Sequence, residues 1–234
     1  MSDFHYVGRE LETFAAAKTW KTYLAMQIRP FLGADVLEVG AGLGSVTRAF
    51  CTSAQRSWTA LEPDPVLAAR AREFLNGSTV GTRFDVLTET TAQLHADQRF
   101  ASVLYIDVLE HIEHDAEELD AARRHLRVGG HLVVLSPAHQ WLFTPFDRAI
   151  GHFRRYSAST LQAVVPPGLR TVRLRYLDCV GMCASLGNKA LLRQDMPTTR
   201  QIEIWDRVMV PLSRTFDRWL RFRVGKSILG VWQA

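Results

Sequence analysis

The stretch that most constrains what this chain can fold into runs from Val36 to Thr47 and reads VLEVGAGLGSVT. Val36, Leu37 and Val39 are apolar and β-prone, as in a strand buried on both faces. Gly40, Gly42 and Gly44 supply a turn that a Cβ would obstruct, and Ser45 to Thr47 open a helix. A strand, glycine turn and helix start let a ligand approach unsatisfied backbone N–H groups, the device shared by nucleotide-binding α/β folds. The form of the turn narrows the ligand. The dinucleotide pattern G-x-G-x-x-G needs glycine where Ser45 stands, and the closing Gly-Lys-Ser/Thr of a phosphate loop is absent. Glu38 ends the strand instead, and an acid pointing into the cradle favours a cationic ligand over a pyrophosphate.

With 234 residues, 47% apolar and 22% charged, the chain suffices for one sizeable α/β domain with decorations. No apolar run reaches transmembrane length and MSDFHYVGRE has no apolar signal core, so a cytoplasmic protein is expected. Cys51, Cys179 and Cys183 have no metal-like spacing with partner ligands. Buried free thiols and no metal are expected. Charge is unevenly spread: residues 1–137 carry 13 Lys+Arg against 18 Asp+Glu, and residues 138–234 carry 15 against 6, so −5 and +9 sum to the chain's +4. A basic second half suits nucleic acid, phosphorylated substrates or an anionic membrane surface; the alternative is a solvated arginine-rich face.

Residues 1–32 read as an N-terminal helical flap. Phe14, Trp20 and Tyr23 either close over the ligand at the glycine turn or pack a helix on the sheet edge. After the turn come a strand at Ser57 to Leu61 and a helix from Pro65 to Asn76-Gly77. Glu62 stands just over twenty residues beyond Gly40, where a carboxylate can accept both hydroxyls of a ribose. Thr79 to Leu87 reads as a third strand with Asp85 at its exit, and Phe100 to Val108 as a central fourth strand with Asp107 at its end. A helix over Ala116 to Leu126 and a fifth strand at His131 to Leu135 follow. This alternation implies a parallel sheet with helices on both faces and a site at the strand C-termini, where Glu38, Glu62, Asp85 and Asp107 would outline a polar crescent.

VLEVGAGLGSVT, LEPDP, FDVL, YIDVLEHIEHD and LRVGGHLVVLSP, in this order and spacing, resemble the motifs of class I S-adenosylmethionine-dependent methyltransferases over about residues 10–137. The EHIEHD segment is similar to the ubiquinone and menaquinone biosynthesis type. The resemblance implies a Rossmann-like three-layer α/β sandwich with a mostly parallel seven-stranded sheet, and S-adenosylmethionine as cofactor, leaving S-adenosylhomocysteine. It further implies that Gly40, Gly42 and Gly44 line the methionine part, supported by Glu38, with Asp107 and Val108 nearby. Glu62 with Pro63 would hold the ribose, Asp85 with Val86 the adenine, and Tyr23 would close over the cofactor. His111 would lie near the methyl donor, as a base or acceptor contact, or else it caps the following helix.

The second half should choose the acceptor. AHQWLFTPFDRAIGHFRRYS, within residues 138–157, sets Trp141, Phe146 and Tyr156 among Arg154, Arg155 and His152, as in a lid over an electron-rich or anionic acceptor. His152 is the preferred general base for methyl transfer to a hydroxyl; alternatively it and the arginines tie the lid to Asp147. Leu169 to Leu177 and Ser227 to Trp232 read as strands six and seven around a helical insertion, residues 178–226. There Ile202, Trp205, Val208, Met209, Leu212, Phe216, Trp219 and Leu220 recur at helical spacing, with Arg207, Arg214, Arg218 and Arg221 on another face and a kink at Pro211. The insertion is a packed wall of the acceptor pocket, a dimer contact, or an amphipathic element on anionic lipid through 202–222. The expected activity is methyl transfer to a small-molecule or lipid-like acceptor, first at oxygen and alternatively at carbon, by a monomer or homodimer. A nucleic-acid methyltransferase is a rival, although no N/D-P-P-Y motif follows strand four. A non-catalytic S-adenosylmethionine-binding subunit is another.

Overall fold

In the computed structural model, residues 10–77, 81–187 and 198–234 are described, apart from the side chains of Glu10 and Thr13. Seven strands form one sheet: β1 (Asp35–Val39), β2 (Ser57–Leu61), β3 (Arg83–Leu87), β4 (Phe100–Ile106), β5 (Leu126–Pro137), β6 (Arg170–Leu177) and β7 (Ser227–Gln233). Their order is β3-β2-β1-β4-β5-β7-β6. The sheet is mixed: β1 pairs in parallel with β2 and β4, and β7 runs antiparallel between β5 and β6. The third strand is shorter than expected, and residues 79 and 80 of its expected start lie outside the described residues. Strand five is longer, absorbing Val128, Gly129 and Gly130, which the sequence pattern assigned to a helix end.

Alternation along the central strands divides two cores. Val36, Leu104, Ile106, Val133 and Leu135 face α2 (Lys18–Ile28), α3 (Ser45–Phe50) and α4 (Pro65–Asn76). Leu37, Val39, Val103, Tyr105, Leu132 and Val134 face α5 (Asp115–Arg124) and α7 (Ala158–Val164). Each fully buried aliphatic side chain contributes about 1.5–3 kcal/mol. Helix ends follow their local signals. Pro65 opens α4 behind Asp64, whose carboxylate accepts from Val66 N and Leu67 N, and Ser157 caps α7 in a capping box.

Before α2 lies the short α1 (Glu10–Ala15). Between β5 and β6 stands α6 (Pro145–Ala149). The insertion carries α8 (Cys179–Gly187), α9 (Thr199–Ile204), a wide π turn at Trp205–Met209 and α10 (Val210–Trp219). The irregularity expected at Pro211 is this π turn just before it, where proline has no N–H to return to the preceding turn. No helix among the described residues is long and apolar enough to cross a membrane.

Candidate active site

A cavity of about 630 Å³ lies over the C-terminal ends of β1, β4 and β5, between Gly40, Asp107 and Pro137. Gly40, Gly42 and Gly44 all have positive φ, at 71°, 55° and 74°. A Cβ on Gly40 would come within 2.6 Å of Val108 Cγ2, so this position tolerates no side chain. Val108 is thus the packing partner of the turn. Gly40 N and Ala41 N donate to Leu61 O, and Gly42 N donates to Glu62 Oε2 at 2.7 Å.

The acids at the strand ends divide. Asp107, with φ of 54°, turns out of β4 and lines the cavity, where burial raises its pKa. Glu38 does not point into the cradle. It sits behind the turn, where Oε2 accepts from Thr47 Oγ1 at 2.6 Å and Trp58 Nε1 at 2.8 Å, and burial pushes its pKa up to about 7. Period-2 alternation sends Glu38 to the face of Val36, against α3, instead of to the strand's end. Glu62 lies beside the glycine turn with Pro63 after it, and its two oxygens accept from Gly42 N and Asp64 N. Burial raises its pKa.

Asp85 corrects the expectation most clearly. It pairs with Thr59 in the middle of β3, its side chain bonds Arg83, and with Val86 it borders a separate recess at the sheet edge. The acid that follows the end of β3 is Glu89, two residues after Leu87. Tyr23 is also displaced from its expected role: it is buried, faces away from the cavity, and donates to Asp217 Oδ2 at 2.8 Å. The flap residues that do line the cavity are Leu11, Phe14, Ala15, Trp20, Lys21 and Leu24, the Lys21 ammonium donating to Phe14 O and Ala15 O.

On the acceptor side, His152, His111, Phe146 and Arg155 line the cavity. Trp141, Arg154 and Tyr156 do not. Trp141 lies outside with its ring 5.2 Å from that of His139, while Arg154 and the Tyr156 hydroxyl both bind Asp115 Oδ2. Tyr156 also bridges its backbone to Ala138, pinning the segment to the end of β5. Asp147, almost fully buried, organises the cluster. It accepts from Thr144 N, from Arg155 through two nitrogens, and lies 3.0 Å from His152 Nδ1. These donors hold its carboxyl far below the usual range. On the other side of the ring, His152 Nε2 lies 3.9 Å from Glu110 Oε1.

Glu110 is a residue the sequence pattern left unassigned. It is fully buried in the cavity wall, neither carboxylate oxygen has a hydrogen-bond partner, and burial raises its pKa well above the usual value. Burial and the neighbouring His152 lower the His111 pKa to about 4, so its imidazole is held neutral. Glu110, His111 and His152 bring ligand atoms within 4.8 Å of one another. The His111 and His152 rings pack edge to face with centroids 4.4 Å apart.

Residues 9–165 match the methyltransferase domain family. The chain belongs to that family. It is an S-adenosylmethionine-dependent methyltransferase, in agreement with the motifs read from the sequence. No curated protein matches it in sequence. Among solved structures it is similar to a putative methyltransferase from Bacillus halodurans, with 20% identity over 91% of this chain and 97% of that one and a TM-score of 0.61. The N-methyltransferase NodS from Bradyrhizobium japonicum, in complex with S-adenosyl-L-homocysteine, aligns at 13% identity over 98% of both chains, with a TM-score of 0.60. The [4+2]-cyclase SpnF aligns at 15% identity over 91% of this chain and 80% of that one, also at 0.61. At such identities the likeness concerns the fold.

The methyltransferase's own geometry fits the cofactor. The glycine turn is a cradle that a Cβ would fill, and Asp107 faces the cavity beside it, suited to a sulfonium or an ammonium. The insertion supplies the far wall through Gly181, Ile202, Ile204, Trp205 and Met209. Three buried aspartates hold that wall. Asp206 accepts from Thr19 N and Trp20 N at the start of α2. Asp178 accepts from Trp205 Nε1, Ser213 Oγ and Gly181 N. Asp217 accepts from Tyr23, Asp178 N and Cys179 N.

Proposed function

We propose that this methyltransferase methylates a hydroxyl oxygen of an apolar, small or lipid-like acceptor. One observation carries the reading: the cavity's apolar walls from α2 and the insertion end in the polar cluster of His152, Asp147, Glu110 and His111. S-adenosylmethionine supplies an electrophilic methyl on a sulfonium. Gly40 and Gly42 leave room for its methionine part, Asp107 faces its positive charge, and Glu62 with Pro63, beside the glycine turn, would hold the ribose. His152 Nε2 takes the acceptor's proton as the oxygen forms its bond to carbon, while Asp147 holds the Nδ1 proton and stabilises the imidazolium. Glu110, whose carboxyl oxygens have no partner in the cavity wall, binds a polar group of the acceptor, and neutral His111 keeps a second cation away from His152. Alignment of the acceptor oxygen in line with the methyl supplies much of the rate. The resemblance of the EHIEHD segment to quinone-biosynthesis methyltransferases supports an apolar acceptor.

The test is to incubate the protein with methyl-labelled S-adenosylmethionine and organic or aqueous cell extracts, then identify labelled products by mass spectrometry. A methyl ether from the organic extract is expected. Label on nitrogen or carbon would overturn the assignment, as would full turnover by His152→Asn with cofactor binding intact.

A further inference from the structure

The outer face of the insertion helix plays no part in the cavity chemistry, and it is apolar. Ile204, Val208, Leu212, Phe216 and Trp219 are 43%, 53%, 46%, 46% and 79% exposed. Their spacing of four, four, four and three residues puts them on one line along α9 to α10. The inner face is fixed to the domain by Asp206, Ser213 and Asp217, so the stripe is displayed by a firmly seated helix. Isolated exposed apolar side chains are ordinary; five in a row are an interaction surface.

Charge identifies the partner. Arg200, Arg207, Arg214 and Arg218 follow one another seven, seven and four residues apart, an exposed row beside the stripe, with exposed Arg221 and Arg223 just past the helix. Among the described residues none of these six has an ion pair. Between 198 and 226 the acids are Glu203, which is exposed, and Asp206 and Asp217, which face inward. The surface is therefore cationic as well as apolar. A second copy would set the same arginines against each other across a two-fold axis. A nucleic acid would match the arginines and leave most of the aliphatic row unused. An anionic bilayer matches both: phosphate headgroups for the arginines, the upper acyl region for Trp219, Phe216 and the aliphatic chains.

We propose that α9 to α10 lie on an anionic lipid surface and set the cavity mouth against it. Ile204 is the first residue of the stripe and also lines the cavity, so the apolar path is continuous from bilayer to polar cluster. That last point deepens the reading of an apolar acceptor and rests on it; surface binding itself does not.

The experiment sediments the full chain with phosphatidylcholine vesicles, with and without phosphatidylglycerol, in the absence of donor and acceptor, while following tryptophan emission. Binding to the anionic vesicles alone is expected, weakening as salt rises, with a blue shift that Trp219→Phe largely removes. Phe216→Ser with Trp219→Ser, and separately Arg214→Gln with Arg218→Gln, should each weaken binding on the order of tenfold or more. Both pairs are exposed, so thermal unfolding and S-adenosylmethionine binding should match the parent. Equal binding to neutral vesicles, no binding to anionic ones, or a dimer dispersed by the serine pair would overturn the proposal. A protein that binds vesicles yet transfers no methyl would sink the proposed function and leave the docking surface standing.

Discussion

Two sets of buried carboxylates in this protein do opposite work. Glu38, Glu62 and Glu110 stand at or behind the strand ends, and burial raises the pKa of each; Asp107 beside them is open to the cavity. Asp178, Asp206 and Asp217 stand in the insertion, and each accepts hydrogen bonds from backbone N–H or side-chain donors brought from elsewhere in the fold. In the first set Glu38 and Glu62 each accept two hydrogen bonds from groups around the glycine turn, while Glu110 accepts none. The second set works as three bolts, tying the insertion to α2 and to the end of β6. Burial alone does not distinguish them; what their donors tie together does.

The largest expected effect tests the cavity side. His152→Asn should lower kcat by about 10² to 10⁴-fold, with S-adenosylmethionine affinity within a few fold of the parent by calorimetry. A proportionate loss of both would turn His152 into a structural tie between the lid and Asp147. Next comes the anchoring side. Asp217→Ala strands Tyr23 Oη, Asp178 N and Cys179 N together, and should cost about 3–5 kcal/mol in denaturant unfolding. A cost under about 1 kcal/mol would mean that solvent replaces the aspartate, and the two sets would no longer differ in kind.

What the sequence made legible was local. The glycine turn, Pro65 and Ser157 at their helix starts, and the last two strands follow from signals within a few residues. Side-chain direction was less legible. Both faces of β1 are buried, so its pattern could not say which way Glu38 points. The end of β3 at Leu87 was legible, but Asp85, which the sequence reading sets at its exit, lies two residues inside the strand, and the acid beyond that end is Glu89. Tyr23 finds Asp217 across 194 residues of chain, a pairing no periodicity announces. The insertion's apolar run left packing, dimer contact and lipid contact open, because its faces are mixed: Ile202, Trp205, Asp206, Ser213 and Asp217 are buried, while Val208, Leu212, Phe216 and Trp219 point outward. Reading apolar as inward therefore inverts part of the helix.

Glu38 sharpens the first set. Its pKa moves from the ordinary 4.5 up to about 7 on folding. Below pH 4.5 both states hold the proton and there is no effect. Between these values the folded state keeps a proton that the unfolded state has lost, so stability falls as pH rises, and the loss is complete above about 7. Glu38→Gln keeps an oxygen that can accept from both Thr47 and Trp58, as Oε2 does now, and removes the titration. Relative to the parent, the variant should be about equal in stability at acid pH and up to about 3 kcal/mol more stable at alkaline pH. Parallel stability curves would show that Glu38 is as comfortably held as the insertion aspartates.

The smallest effect separates the two halves of one bolt. Tyr23→Phe removes the hydroxyl but leaves Asp217 with the backbone donors of Asp178 and Cys179, which still satisfy both its oxygens. The ring stays in the core against Trp20, whose centroid is 6.0 Å away. The expected cost is about 1 kcal/mol, a single hydrogen bond to a charged group whose other bonds survive. Together with Asp217→Ala and the double variant, this makes a thermodynamic cycle. If the aspartate is the anchor, Tyr23→Phe should cost almost nothing once Asp217 is gone. If Tyr23→Phe alone costs as much as Asp217→Ala, the hydroxyl is what seats the insertion on α2, and the helix that walls the cavity is held chiefly from the N-terminal side.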